Sequence, residues 1–181
     1  MLLVVLSAVV VWLSNALQPP QEEPVTAEEV TALEERLRSK DSAEDTLTHY
    51  EALLAQTADQ VAALVPGLTW RWNREDTTIS CAGPLADTRG VQVLTRHALF
   101  DGPIPDEAWP HAFAIVRSQA ATLGATDVFT YKDGPGDHDV AISGDDGVEI
   151  RFGTRIAATL SARSDCRLKQ ADLESVSRES R

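Results

Sequence analysis

Basic residues are scarce in this chain. Only 16 Lys and Arg stand against 28 Asp and Glu, and the formal charge is -12. A nucleic-acid partner requires a basic patch, and no Lys/Arg cluster breaks the acidic background. Cysteine is rarer still. Cys81 and Cys166 are the only two, too few for a disulfide scaffold or a Cys-rich zinc site. The signatures of common catalytic sites are missing as well. There is no Gly-x-Ser-x-Gly elbow, no Ser-x-x-Lys, no Walker A loop and no His-Glu-x-x-His. What is present suffices for a fold. Apolar residues make up 43% of 181 positions, which excludes wholesale disorder and fits one ordinary domain with appendages.

The long apolar run is N-terminal. Leu2 to Leu13 reads LLVVLSAVVVWL, and no charge appears through Leu17. A bilayer span takes about 17–25 apolar residues, so residues 1–17 are short for a span and suit a signal-peptide core. Ser14-Asn15-Ala16 places small residues for cleavage after Ala16, although a basic n-region is missing. Cleaved signal or retained anchor, the segment sends the rest of the chain across the cytoplasmic membrane. Gln18 to Val25 follows as a Pro-rich, extended linker. Residues 18–41 carry seven acidic and three basic side chains, a net -4 that favours a solvated stalk over one lying on anionic lipid.

Beyond the linker the period is helical. Thr26-Ala27-Glu28-Glu29 is a capping box, and Val30, Leu33 and Leu37 form a narrow apolar stripe that buries little. Glu34 and Arg38 are spaced as an i,i+4 ion pair. Ser42 opens a second helix with Leu47, Tyr50, Leu54, Val61, Leu64 and Val65 at helical spacing, ended by Pro66-Gly67. At Trp70 the period switches to two. Strands are expected at Trp70 to Asn73, Val91 to Phe100, Val128 to Lys132, Val140 to Ser143, Val148 to Phe152 and Ile156 to Ala162. A third helix opens near Asp106 and carries Trp109, Ala112, Phe113, Val116, Ala120 and Leu123. Asp133 to Asp139 reads as a loop, Gly144 to Gly147 as a hairpin turn, and residues 171–181 as a frayed, polar tail. The order predicts an α+β domain over residues 42–170. It is a two-layer sandwich with a mainly antiparallel sheet and helices on one face.

Three features carry potential chemistry. In an oxidising compartment Cys81 and Cys166 would tend to pair, while two buried free thiols are the alternative. Asp137, His138 and Asp139 sit in a Gly-rich segment, where carboxylates beside an imidazole can hold a hard or borderline cation. A solvated turn is the simpler account of the same residues, and the EF-hand order is absent. Arg71, Glu149 and Arg151 alternate with core-facing Trp70, Trp72, Ile150 and Phe152, so they share the solvent side of the sheet. There they either line a binding face or simply wet it.

Several ordered segments resemble one family. Leu64 to Asn73 (LVPGLTWRWN), Cys81 to Leu85 (CAGPL), Gly90 to Leu94 (GVQVL) and Asp101 to Pro105 (DGPIP) begin the match. Gly136 to Val140 (GDHDV), Gly147 to Thr154 (GVEIRFGT) and Ser161 to Arg167 (SARSDCR) complete it. Together they resemble the LppA-like lipoproteins of mycobacteria and related actinobacteria. The resemblance spans Tyr50 to Leu168. It implies a cell-envelope protein with a two-layer domain, a Cys81–Cys166 disulfide and no established enzyme activity. In one respect the chain departs from it. A lipoprotein carries an acylated Cys after its apolar segment, and here that stretch is Ser14-Asn15-Ala16-Leu17. Lipidation is therefore not expected, and attachment falls to the apolar residues 2–17 or is lost on cleavage. The resulting expectation is a non-enzymatic envelope module on the outer side of the cytoplasmic membrane. It needs no cofactor and binds an envelope protein or a small ligand. The alternative is a metal-dependent or hydrolytic module using Asp133 to Asp139.

Overall fold

The computed structural model describes residues 25–179. The apolar segment 2–17, the cleavage position after Ala16 and most of the Pro-rich linker lie outside the described residues. Among the described residues no helix is long and apolar enough to cross a membrane. The chain runs α1 (Ala27–Arg38), α2 (Ala43–Ala62), β1 (Trp70–Asn73), β2 (Thr77–Ser80), β3 (Val91–Leu94), β4 (His97–Phe100) and α3 (Trp109–Thr122). It continues through β5 (Asp127–Gly134), β6 (Asp137–Ser143), β7 (Glu149–Thr154), β8 (Ala158–Arg167) and α4 (Gln170–Glu179).

The eight described strands form one antiparallel sheet, in the order β1-β4-β8-β7-β6-β5, with β2 beside β3 and β3 beside β8. β1 and β2 are two halves of an outgoing line, and β3 and β4 are two halves of its return. Trp70 faces Phe100 at one end and Ser80 faces Val91 at the other. β8 accepts both returning halves along one flank, with Leu160 opposite Ala98 and Cys166 opposite Gln92. Its other flank pairs with β7, Ala162 opposite Ile150. The connection through α3 carries the chain to the far edge, and four strands then return in a meander.

Side-chain alternation divides the sheet into two faces. Ala98, Phe100, Val140, Ile150, Phe152 and Leu160 point to one side. There they meet Tyr50, Leu54, Ala58 and Val61 of α2 and Trp109, Ala112, Val116 and Ala120 of α3. This is the α+β two-layer arrangement that the order of elements predicts. Ser42 caps α2, its hydroxyl accepting the Asp45 N–H at 3.0 Å. The Thr26 and Glu29 capping box starts α1.

Several segments differ from the sequence expectation. Asp133 to Asp139 is not a loop. β5 and β6 pair through Asp133–His138 and Gly134–Asp137, leaving only Pro135-Gly136 at the turn, with Gly136 at φ +68°. Pro followed by a left-handed Gly suits a tight turn, so the ladder can extend to the tip. α3 starts at Trp109 because Asp106 is engaged elsewhere, its Oδ1 accepting the Gly136 N–H at 2.8 Å. Strand β2 was not anticipated. Its four residues are all exposed, so no alternation marks them. β8 begins after Ile156 and runs on to Arg167. Residues 170–179 form α4 rather than a frayed tail, with Leu173 against a second apolar cluster.

That cluster also changes the reading of α1. Leu37 (2% exposed) packs with Cys81, Cys166 and Leu168, so α1 lies on the body and is not a detached stalk. Glu34 is 8% exposed, and its main partner is not Arg38 but Arg89. Arg89 donates its backbone N–H at 2.9 Å and Nη2 at 2.6 Å to the carboxylate. Cys81 and Cys166 form a disulfide, their Cα atoms 5.9 Å apart. Gly90 lies against it. A Cβ there would fall on Cys166 Sγ and stand 2.9 Å from Leu37 Cδ1 and 3.0 Å from Cys81 Sγ.

Gly90→Ala is expected to cost about 1–3 kcal/mol in denaturant unfolding, because the disulfide leaves its neighbours little room to yield. Reducing the disulfide should remove about 2–4 kcal/mol. Glu34 gives a separate test. The Arg89 hydrogen bond holds its carboxyl below the ordinary 4.5. A depressed folded pKa means this stabilisation is complete above that value and disappears as pH falls through the folded one. Glu34→Gln should therefore flatten the acid limb of stability between about pH 5 and pH 3. An unchanged limb would separate Glu34 from acid unfolding.

Candidate functional site

The face of the sheet opposite α2 and α3 holds the candidate site. Register arranges its side chains in rows. Arg71, Leu99, Thr159, Gly153 and Asp139 follow one row from β1 to β6, while Asn73 faces His97 and, on the meander side, Ser161, Arg151 and Ala141 form a second row. On β7 and β8 the middle of these rows is small. Gly153, Thr159 and Ser161 form the floor of an open basin of about 440 Å³. At Gly153 a Cβ would sit 3.0 Å from the His138 carbonyl oxygen, so close backbone packing favours glycine there.

The walls of the basin are charged. Arg74, Lys132, Arg151 and Arg155 line it together with Asp137 and Asp139. Arg151 forks onto Asp139 at 3.2 and 2.8 Å and lies 4.5 Å over the Tyr131 ring. Lys132 reaches Asp137 at 3.0 Å, and Arg155 stands 3.9 Å from the same carboxylate. Beside Arg151, Tyr131 meets Phe129 edge to face, and both rings are more than half exposed. His97 closes the opposite wall. Burial first, and then the charge of Arg74, hold it below its ordinary 6.5.

Arg74 has an unusual backbone. Among the described residues it is the one non-glycine at positive φ, +65°. For an L-residue that region costs roughly 1–2 kcal/mol. It marks the break between β1 and β2 and places Arg74 on the rim of the basin.

Arg71, Glu149 and Arg151 share the open face, but they do not converge. Arg71 is three strand spacings from β7, roughly 14 Å. Glu149 pairs instead with Arg163 at 3.4 Å. Of the three only Arg151 enters the basin. Sequence reasoning missed Arg74, Lys132 and Arg155, which come from three separate segments. A local signal was present in the small residues Thr159 and Ser161 at spacing two, with Gly153 across the hairpin from Thr159.

Asp137, His138 and Asp139 do not assemble as a metal site. Consecutive strand residues point to opposite faces. Asp137 and Asp139 join the cations of the basin, while His138 (9% exposed) turns toward the helices and stacks on Trp109 with centroids 4.6 Å apart. Its ring nitrogens lie 2.9 Å from Asp133 and 3.1 Å from Asp106. No group of three His, Cys, Asp or Glu among the described residues is arranged to hold a metal ion.

A model for the LppA family, described as "Lipoprotein confined to pathogenic Mycobacterium", matches residues 19–170. The chain belongs to the LppA family. It is 29% identical to LppA of Mycobacterium tuberculosis over 163 residues, covering 86% of this chain and 74% of that protein. LppB of the same organism is 27% identical over 164 residues, with 87% and 74% covered. The crystal structure of M. tuberculosis LppA superposes with a TM-score of 0.68 at 24% identity, over 83% of this chain and 95% of that one. This likeness shows that the fold is shared.

His138→Ala is expected to lower stability by roughly 2–3 kcal/mol through the lost stack and hydrogen bonds. A chelator should leave the melting temperature of the unaltered protein where it was. A chelator-dependent drop in melting temperature would restore the metal reading.

Proposed function

We propose that this LppA-family chain is a non-catalytic binding module of the cell envelope. It recognises an envelope component, a protein or a small ligand, through the open face of its sheet. The basin carries this reading. It concentrates charge, small floor residues and exposed aromatics on the face opposite the main helices. The family's description as lipoproteins supports an envelope location, and the oxidised Cys81–Cys166 pair is consistent with export. Residues 2–17 supply the signal or the membrane anchor in this reading. Both cysteines are bonded to each other, so neither serves as a lipidation site.

The hydrolytic alternative draws no comparable support. A base needs a nucleophile within hydrogen-bond reach. Among the described residues His138 is hydrogen-bonded to two carboxylates and to no Ser, Thr or Cys side chain.

Cross-linking of the protein to an envelope fraction tests the proposal. Cross-links should map to β1, β7 and the basin rim. The Arg71→Ala/Arg151→Ala double variant should lose about tenfold in capture, with melting nearly unchanged. Cross-links confined to α2 and α3, or full capture by the double variant, would refute the open face as the site.

A further inference from the structure

The basin is charged opposite to the chain around it. Four cationic side chains line it against two carboxylates, in a chain whose formal charge is -12. Asp139 is taken up by Arg151, and Asp137 is divided between Lys132 and Arg155. Arg74 has no carboxylate partner among the described residues and stands on a backbone conformation that only a local constraint maintains. The site thus holds excess positive charge on an acidic surface. Strained backbone at a cleft is a recurrent mark of ligand sites.

The remaining lining narrows the ligand. Thr159 and Ser161 offer hydroxyls from the floor, and Asp137 and Asp139 offer acceptors beside the cations. A volume of about 440 Å³ exceeds the need of a lone tetrahedral anion and suits one carried on a polar body. Guanidinium groups match phosphate oxygens two at a time, and Lys adds a point charge. Carboxylates next to them repel a bare polyanion but accept hydrogen bonds from hydroxyl groups. The exposed Tyr131 and Phe129 rings continue the wall past Arg151.

We propose that the basin binds a phosphorylated sugar. Its phosphate is met by Arg74, the lining cation without a carboxylate partner among the described residues, and its hydroxyls face Thr159, Ser161 and the Asp137 and Asp139 carboxylates. This rests on the open face being the binding surface and names the ligand class it takes. The chemistry is shared by a soluble sugar phosphate and by a phosphoinositol lipid headgroup.

Calorimetric titration with glucose 6-phosphate, glucose and inorganic phosphate tests the proposal, with phosphatidylinositol vesicles as a fourth probe. Glucose 6-phosphate should bind more tightly than inorganic phosphate, glucose alone should not bind, and added salt should weaken the interaction. Competition by the vesicles would assign the group to a lipid. Binding of glucose 6-phosphate without such competition would assign it to a soluble ligand. Arg74→Gly keeps a residue suited to positive φ, so it should fold, and it should weaken binding about tenfold. Arg74→Lys should retain most of it, and Arg117→Ala on α3 should change nothing. Binding unaltered by Arg74→Gly, or no heat with any phosphate-bearing probe, overturns the assignment. If envelope cross-links still map to the open face in that case, the face remains the binding surface and only the ligand class falls.

Discussion

Strand β8 is the constraint on which the sheet depends. The β1 to β4 hairpin and the β5 to β7 meander have no other ladder in common, and both pair with it. Its flank toward β3 and β4 joins residues 60 to 76 positions apart, so the loop must close before the pairing is rewarded. Cys166 lies on this strand opposite Gln92, and its bond to Cys81 pins the end where β3 meets β8. Leu37, Leu168, Leu85 and Leu173 then pack around the sulfurs. The disulfide is therefore the centre of a second core as well as a covalent link.

This arrangement explains what the sequence reveals and what it hides. α2 and α3 are legible because their apolar residues recur at helical spacing and face a sheet that alternates. Ser42 caps where a Ser followed by Asp at the third position should cap. Strands β6 to β8 of the meander are legible for the same reason, short of their ends, while β5, exposed nearly throughout on the sheet edge, shows through its β-formers Val128, Phe129, Thr130 and Tyr131. β2 is not, because Thr77 to Ser80 are exposed on an edge and leave no periodic trace. α1 was misjudged because a single buried Leu37 and a carboxylate satisfied by Arg89, 55 positions away, are contacts that no window of local sequence contains. Arg38, the partner suggested by spacing, lies 3.9 Å from Glu34 while Arg89 comes to 2.6 Å.

The segment from Asp133 to Asp139 shows the same limit at the level of chemistry. Read as a loop, its acids and histidine are free to converge. Read as two strands and a two-residue turn, they cannot, since alternation sends Asp137 and Asp139 to one face and His138 to the other. His138 then serves the fold. Its stack on Trp109 and its contacts with Asp133 and Asp106 tie the β5–β6 tip to the start of α3. Trp109 stacks in turn on Phe152, 4.8 Å between centroids, so the clamp is continuous with the main core.

The two carboxylates left on the other face acquire a different role. Alone they would add to an already acidic surface. Beside Lys132, Arg151 and Arg155 they hold three cations near one floor of small residues. Exposed ion pairs contribute little to stability, of order 0–1 kcal/mol each, so folding alone is a weak reason for gathering them. Arg74 sharpens the point. It adds a fourth positive charge without a carboxylate partner among the described residues, from a conformation that is itself unfavourable, to a rim where three cations already stand. A Gly at that position would relieve the backbone and lower the local charge. Under the proposed phosphate site, the arginine is accounted for by the anion it meets there.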